Sequence, residues 1–457
     1  MLKFHLIISQ ELIDIIADTN KAESINFLET YLNFSTISLY IILIFIVNFV
    51  FILISKLLKN TKYQGVSILL VIIGMTFVTY CIYGFARYHN GQGIPQMSSI
   101  SRTGYAIYLT KQKINENKLL IETCNKVKAT QNIKIKPSIV IIIGESYSVY
   151  HSSLYGYNKP TNPLLKHEEK KGNLFLFNNA VTIYPATTAT MYAVFSLDSL
   201  GVNFTDKPLF PICFKKTGYK VKMYDNQYFV NQGLSFMCDN DVSKTLFDYR
   251  NIKEYKYDED LVKSITVNKN PTLYIIHLKG QHYIYKTRFP IQFTKFKAKD
   301  YSFKYTEEQR QIMADYDNAT LYNDNVVNSI FDKFKNKYCC IFYFSDHGEE
   351  VYELRDYMGH GNAEDSPNPN YQLRVPLMVW LSPSFKQANS NIVNELYRAK
   401  NYPISTDDIG HSILDIAGIR NKDFKPNLSF INCKFNKKRH RIVMSSVDYD
   451  KSIINKR

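Results

Sequence analysis

The chain has 457 residues, 45% of them hydrophobic, with 56 Lys and Arg against 41 Asp and Glu for a formal net charge of +15. That length is generous for one soluble domain. The positive charge does not read as nucleic-acid binding, because the lysines are dispersed among Asn and Tyr with no basic-aromatic motif, and a basic exterior facing anionic lipid headgroups fits better.

Hydrophobicity is concentrated near the start. Residues 36–57 and 65–86 are each a nearly uncharged run, and about 20 such residues suffice to cross the roughly 30 Å hydrocarbon core. Both are expected to be transmembrane helices. Lys56, Lys59 and Lys62 crowd the connector between them, which marks it as cytoplasmic and places both flanks outside. Residues 1–35 carry sparse, mixed charge with alternating apolar positions and are expected to rest at the outer membrane interface. No cleavable signal peptide is legible in Met1–Ser9. An exported amino terminus without one suggests that further membrane helices have been lost or come from a partner. Residues 87–136, rich in Tyr, Lys and Asn, read as a membrane-proximal linker, and 137–457 as the catalytic domain.

Within that domain Ser138 to Ile143, Lys220 to Tyr224, Pro271 to Ile276, Cys340 to Phe344 and Val375 to Leu381 are predicted strands. Glu307 to Phe334 carries a helical pattern. Ser405-Thr406-Asp407-Asp408 supplies capping residues for a helix running to Ala417 and stopping at Gly418. Strands alternating with helices predict a doubly wound α/β fold. Of the seven cysteines, Cys339 and Cys340 should point to opposite faces of one strand, and Cys213 with Cys238 is the pair best suited to a bridge.

Two strand ends carry the chemistry. Glu145 follows Ile141-Ile142-Ile143-Gly144, and Asp346-His347 follows Tyr343-Phe344-Ser345. In open α/β sheets ligand chemistry gathers beyond the carboxyl ends of the strands, and O and N donors of this kind suit a divalent cation. Either motif by itself is equally a helix cap or ordinary loop polarity; both after apolar strands favour the metal. Thr187, Thr188 and Thr190 open a helix after Pro185. A hydroxyl at a helix amino terminus beside a cation is a candidate nucleophile, although Thr and Ser also cap helices without any catalytic role.

Gly144-Glu145-Ser146, Ser153-Leu154-Tyr155-Gly156-Tyr157 and Thr161-Asn162-Pro163-Leu164-Leu165 together resemble the hallmark block of the bacterial phosphoethanolamine transferases. The resemblance continues through Phe177-Asn178-Asn179, Tyr224-Asp225-Asn226-Gln227, Tyr274 to His277 with His282, Tyr316-Asp317-Asn318, Ser345-Asp346-His347-Gly348-Glu349 and His360-Gly361. It implies an alkaline phosphatase/sulfatase-like doubly wound sheet preceded by the two transmembrane helices, fewer than the family usually has, in a multi-pass protein of the bacterial inner membrane with its catalytic domain in the periplasm. By the same resemblance Glu145, Thr187, Asp346 and His347 are zinc ligands, for one ion or two, and Thr187 is the nucleophile, with Thr188 the neighbouring alternative. His282 and His360 bind the phosphoryl group or a second zinc, and Asn178 is a further substrate contact, as Asn226 and Gln227 are if they do not simply cap turns. His277, inside a strand, is structural. Ala186 and Ala193 stand where the family's lipid A members carry a cysteine bridge. The implied reaction moves phosphoethanolamine from phosphatidylethanolamine to an envelope acceptor: lipopolysaccharide lipid A or core, glucan or protein. A phosphoglycerol transferase, a sulfatase-like hydrolase and a catalytically silent membrane protein are the alternatives.

Overall fold

The computed structural model describes residues 115–198, 206–227, 236–251, 253–361, 363 and 366–452, with four helical positions at Phe45, Phe49, Met75 and Thr76. Apart from those four, the expected interfacial segment and both expected membrane spans lie outside the described residues. Among the described residues no helix is long and apolar enough to cross a membrane. The chain divides into two compact units, of which the second comprises Asn117–Asn231 and Ser235–Arg457. This unit begins earlier than the expected boundary at residue 137. Leu120 and Cys124 are buried in its core, and Thr130–Gln131 pairs with Ile419–Arg420.

Its centre is a seven-stranded sheet. In chain order the strands are β1 (Ser138–Gly144), β2 (Leu174–Phe177), β3 (Lys220–Asp225), β4 (Tyr249–Arg250), β5 (Thr272–His277), β6 (Cys339–Ser345) and β7 (Leu377–Leu381). Their order across the sheet is β2-β7-β6-β1-β5-β3-β4. The middle is parallel, but β7 runs antiparallel to both β6 and β2, so the expected α/β sheet is a mixed one.

Both faces are covered, which explains why the central strands read as continuous apolar runs rather than alternating ones. Ile139, Ile141, Ile143, Cys340, Phe342 and Phe344 enter one core layer. Val140, Ile142, Cys339, Ile341 and Tyr343 enter the other. The two adjacent cysteines thus face opposite ways, as the pleat requires. Three helices matter for the site: α1 (Thr187–Phe195), α2 (Glu307–Phe334) and α3 (Ile409–Ile416). The second starts at a capping box, in which Thr306 Oγ1 accepts from Gln309 N and Gln309 Oε1 accepts from Thr306 N; this satisfies amides that the helix itself leaves unpaired. A 3₁₀ turn, Thr406–Asp408, precedes α3, and Gly418 ends that segment at φ +64°. Cys213 and Cys238, the pair best suited to a bridge, are both buried and are not joined by a disulfide.

Candidate active site

Strand register brings the site together. Gly144 pairs with Ser345 and Ile143 with His277, while Asp225 pairs with His277 on the next strand. The residues that follow β1, β3, β5 and β6 therefore all emerge at one carboxyl edge. Glu145, Asp346 and His347 are fully buried there. The chain turns sharply after Glu145, with Ser146 at φ 56°, a conformation costly for a non-glycine residue and held by its surroundings. Gly280 packs so closely that a Cβ there would meet the Glu145 backbone at 2.8 Å.

Thr187 is the first residue of α1. Thr190 Oγ1 donates to Tyr184 O at 2.9 Å, and Ile183 N donates to Thr406 Oγ1 at 3.2 Å, which fixes the approach to the helix. Thr187 Oγ1 then lies 3.2 Å from Glu145 Oε2 and 3.3 Å from His347 Nε2. His347 Nε2 is also 3.2 Å from Glu145 Oε1 and 3.2 Å from Asp346 Oδ2. Four residues separated by up to 202 positions thus converge on one point.

The donor set fits a divalent cation. Bonds of about 2.0 Å in tetrahedral geometry put neighbouring ligand atoms roughly 3.3 Å apart, which matches these spacings. Asp346 Oδ1 accepts from Ser146 N and His347 N, whereas Oδ2 has no hydrogen-bond donor among the described residues. Electrostatics point the same way. Burial alone would raise the Glu145 carboxyl, but the charge and hydrogen bond of His347 hold it well below the usual carboxylate range. Burial, and then the Glu145 charge, pushes Asp346 well above that range. Two carboxylates this close cannot both ionise without added positive charge.

His360 lies beside the cluster, its ring centroid 3.7 Å from that of His347. One ligand atom each from Glu145, His347 and His360 fall within 4.8 Å of one another. His360 is therefore close enough to ligate as well as to meet a phosphoryl oxygen. Burial pushes the imidazole of His282 down to about 3, with Glu145, His347 and His360 within electrostatic reach; it enters the site as a neutral ring. Asn178 is not brought to the cluster. Its amide donates to Asn401 Oδ1 at 2.9 Å and its backbone N–H to Lys400 O at 2.8 Å, so it braces a loop beyond β2. His277 is buried between Asp225 and Gln227.

Residues without a ligand role in the sequence reading complete the surroundings. Gln227 Nε2 donates to Glu145 Oε2 at 2.9 Å and to Leu278 O at 2.7 Å, so this side chain orients a candidate ligand rather than capping a turn. Glu349 Oε2 holds His360 Nδ1 at 2.7 Å, and Tyr285 donates its hydroxyl to Glu349 Oε1. Glu349 stands inside the Asp346-His347 motif, but nothing in the motif says which imidazole it holds. Carboxylate and amide partners of this type set the orientation of metal ligands. Replacing Gln227 with leucine is expected to weaken zinc binding about 10–100-fold while the fold persists, measured by competition with a chromophoric chelator.

This architecture is that of the alkaline phosphatase and sulfatase class. The family model described as Sulfatase matches residues 137–419, and the chain belongs to that family. It is similar to phosphoethanolamine transferase EptC of Escherichia coli strain K12, with 29% identity over 360 residues, covering 73% of this chain and 60% of the relative. The chain thus spans about 60% of the length of that curated relative. The crystal structure of the C-terminal periplasmic domain of E. coli EptC in complex with Zn is similar at TM-score 0.62 and 26% identity, covering 71% of this chain and 96% of that one. The integral membrane protein lipooligosaccharide phosphoethanolamine transferase A of Neisseria meningitidis shares the fold at TM-score 0.66 and 18% identity, covering 93% of this chain and 82% of that one.

Proposed function

We propose that this chain is a membrane-anchored phosphoethanolamine transferase that takes the headgroup from phosphatidylethanolamine and passes it, through Thr187, to an envelope acceptor such as lipopolysaccharide. The observation that carries the reading is the convergence of Thr187 Oγ1 on Glu145 and His347 at 3.2 and 3.3 Å, in a chain similar to proteins named phosphoethanolamine transferase.

Glu145, Asp346, His347 and Thr187 hold zinc in this reading, which supplies positive charge that acidifies the threonine hydroxyl and stabilises phosphoryl oxygens. Thr187 Oγ1 attacks the donor phosphorus in line. The bond from phosphorus to the glycerol oxygen breaks, diacylglycerol leaves with a proton, and phosphoethanolamine stays on Thr187. An acceptor hydroxyl or phosphate then attacks the same phosphorus and Thr187 regains its hydroxyl. Because Glu349 holds Nδ1 of His360, Nε2 is the nitrogen that meets the transferring group. His282, neutral at the site, donates a hydrogen bond to it without adding charge. Little covalent work falls to the protein in phosphoryl transfer, so positioning and charge stabilisation dominate.

Two membrane helices at 36–57 and 65–86 hold the catalytic unit at the outer face of a bacterial inner membrane, where a lipid donor is locally concentrated. The test is reconstitution of the full chain in vesicles whose phosphatidylethanolamine carries a headgroup label, with lipopolysaccharide supplied. Diacylglycerol release and label on the acceptor are expected. No transfer from phosphatidylethanolamine but transfer in parallel vesicles whose phosphatidylglycerol carries the headgroup label, or release of the headgroup to water alone, would replace this reading by a phosphoglycerol transferase or a hydrolase.

A further inference from the structure

A second buried charge cluster stands apart from the metal-ligand candidates. His151, 2% exposed, sits between two carboxylates: Nδ1 faces Asp317 Oδ1 at 2.7 Å and Nε2 faces Glu353 Oε1 at 2.9 Å. A neutral imidazole has one N–H, so donating to both acceptors requires the cation. Burial alone would lower the affinity of this ring for its second proton, but Asp317 and then Glu353 raise it to about 10. Asp317 is further satisfied by the hydroxyls of Tyr157 and Tyr301.

What the cluster joins gives it a role. Asp317 lies on α2, whose neighbouring Tyr316 accepts from Ser148 N and donates to Ser146 O. Glu353 lies in the loop of a short antiparallel hairpin in which Glu350–Val351 pairs with Met358–Gly359. The residues flanking that hairpin are Glu349 and His360, bonded to each other. Its base is held where Gln372 and Ser366 donate to Glu350 Oε2, and its loop is held by His151.

We infer that His151 is a positioning residue whose cationic bridge from Asp317 to Glu353 pins the 350–359 hairpin and thereby sets His360 against the catalytic cluster. For what His360 does once placed, the inference rests on the transferase reading; for the geometry it does not.

The experiment uses the full chain with His151→Gln and, as a variant less disruptive to the fold, Glu353→Gln, which leaves the Asp317 pair intact. Hydrogen exchange read by mass spectrometry should show the 349–360 segment exchanging about tenfold faster or more in both variants, with the α2 amides unchanged. Headgroup release from phosphatidylethanolamine vesicles should fall in kcat with KM nearly constant. In a His360→Ala background, Glu353→Gln should produce no further loss, since both changes then remove the same contribution. Unchanged exchange at the hairpin, faster exchange everywhere alike, or losses that multiply in the double variant would overturn the inference. If the wild-type chain moves no headgroup, the transferase reading fails on its own and the exchange comparison alone decides whether His151 pins the hairpin.

Discussion

Thr187→Ala is expected to lower phosphoethanolamine transfer by about 10³-fold or more, as loss of a covalent nucleophile does elsewhere, while leaving the fold in place. The contacts of Thr187 explain the asymmetry. Its hydroxyl reaches Glu145 and His347, whereas α1 is anchored through Thr190 and through Met191, Val194 and Phe195 in the core. Losing one hydroxyl at the first helical position removes no core contact. Thr188→Ala should change the rate by no more than about twofold, the range of a substitution outside the machinery. Incubating the wild-type protein with phosphatidylethanolamine, stopping the reaction in acid and digesting should yield a peptide heavier by one phosphoethanolamine group, with fragmentation placing it on Thr187. Transfer that survives in Thr187→Ala, or a modification mapped to Thr188 or Thr190, would move the nucleophile and reject the register proposed for this loop.

The second large effect concerns the paired carboxylates. Glu145 and Asp346 are both fully buried around His347 Nε2, and without a cation the two are driven apart, Glu145 ionised and Asp346 holding its proton. Asp346→Asn should therefore abolish zinc binding, measured by elemental analysis after gel filtration, yet leave the metal-free protein as stable as the wild type, because an amide mimics the protonated acid. Wild-type protein is expected to carry one to two zinc ions. At zinc about 1,000-fold above its dissociation constant, binding to the folded state alone contributes about 4 kcal/mol. Chelation should lower the Tm of the wild type by several degrees and leave that of Asp346→Asn unmoved. A wild-type protein whose Tm ignores both zinc and chelator would sink the metal assignment.

Much of this was legible beforehand, for reasons that can be named. Ser138 to Ile143 and Cys340 to Phe344 read as strands because a doubly covered sheet requires apolar residues on both faces. Glu307 to Phe334 was readable as a helix from its helical pattern, and in the structure Thr306 and Gln309 cap its start locally. Glu145 and Asp346-His347 were readable because each follows a buried strand directly. The resemblance placed Thr187, whose position no periodicity reveals. Thus the sequence by itself determined local matters: which segments are buried, where helices begin, and which polar residues stand at strand ends. Tertiary structure decided the long-range ones. The antiparallel course of β7 depends on how the chain returns to the sheet, and an apolar pentapeptide looks the same in either direction. Gln227 meets Glu145, His151 meets Glu353 and Asn178 turns to Asn401 across 82, 202 and 223 positions. Such hydrogen bonds leave no periodic trace, because the partners are chosen by register and loop path. For the same reason Asn178 and Gln227, both amides just past a strand, had the same local appearance, and only the folded chain brings the second to the carboxylate and leaves the first outside.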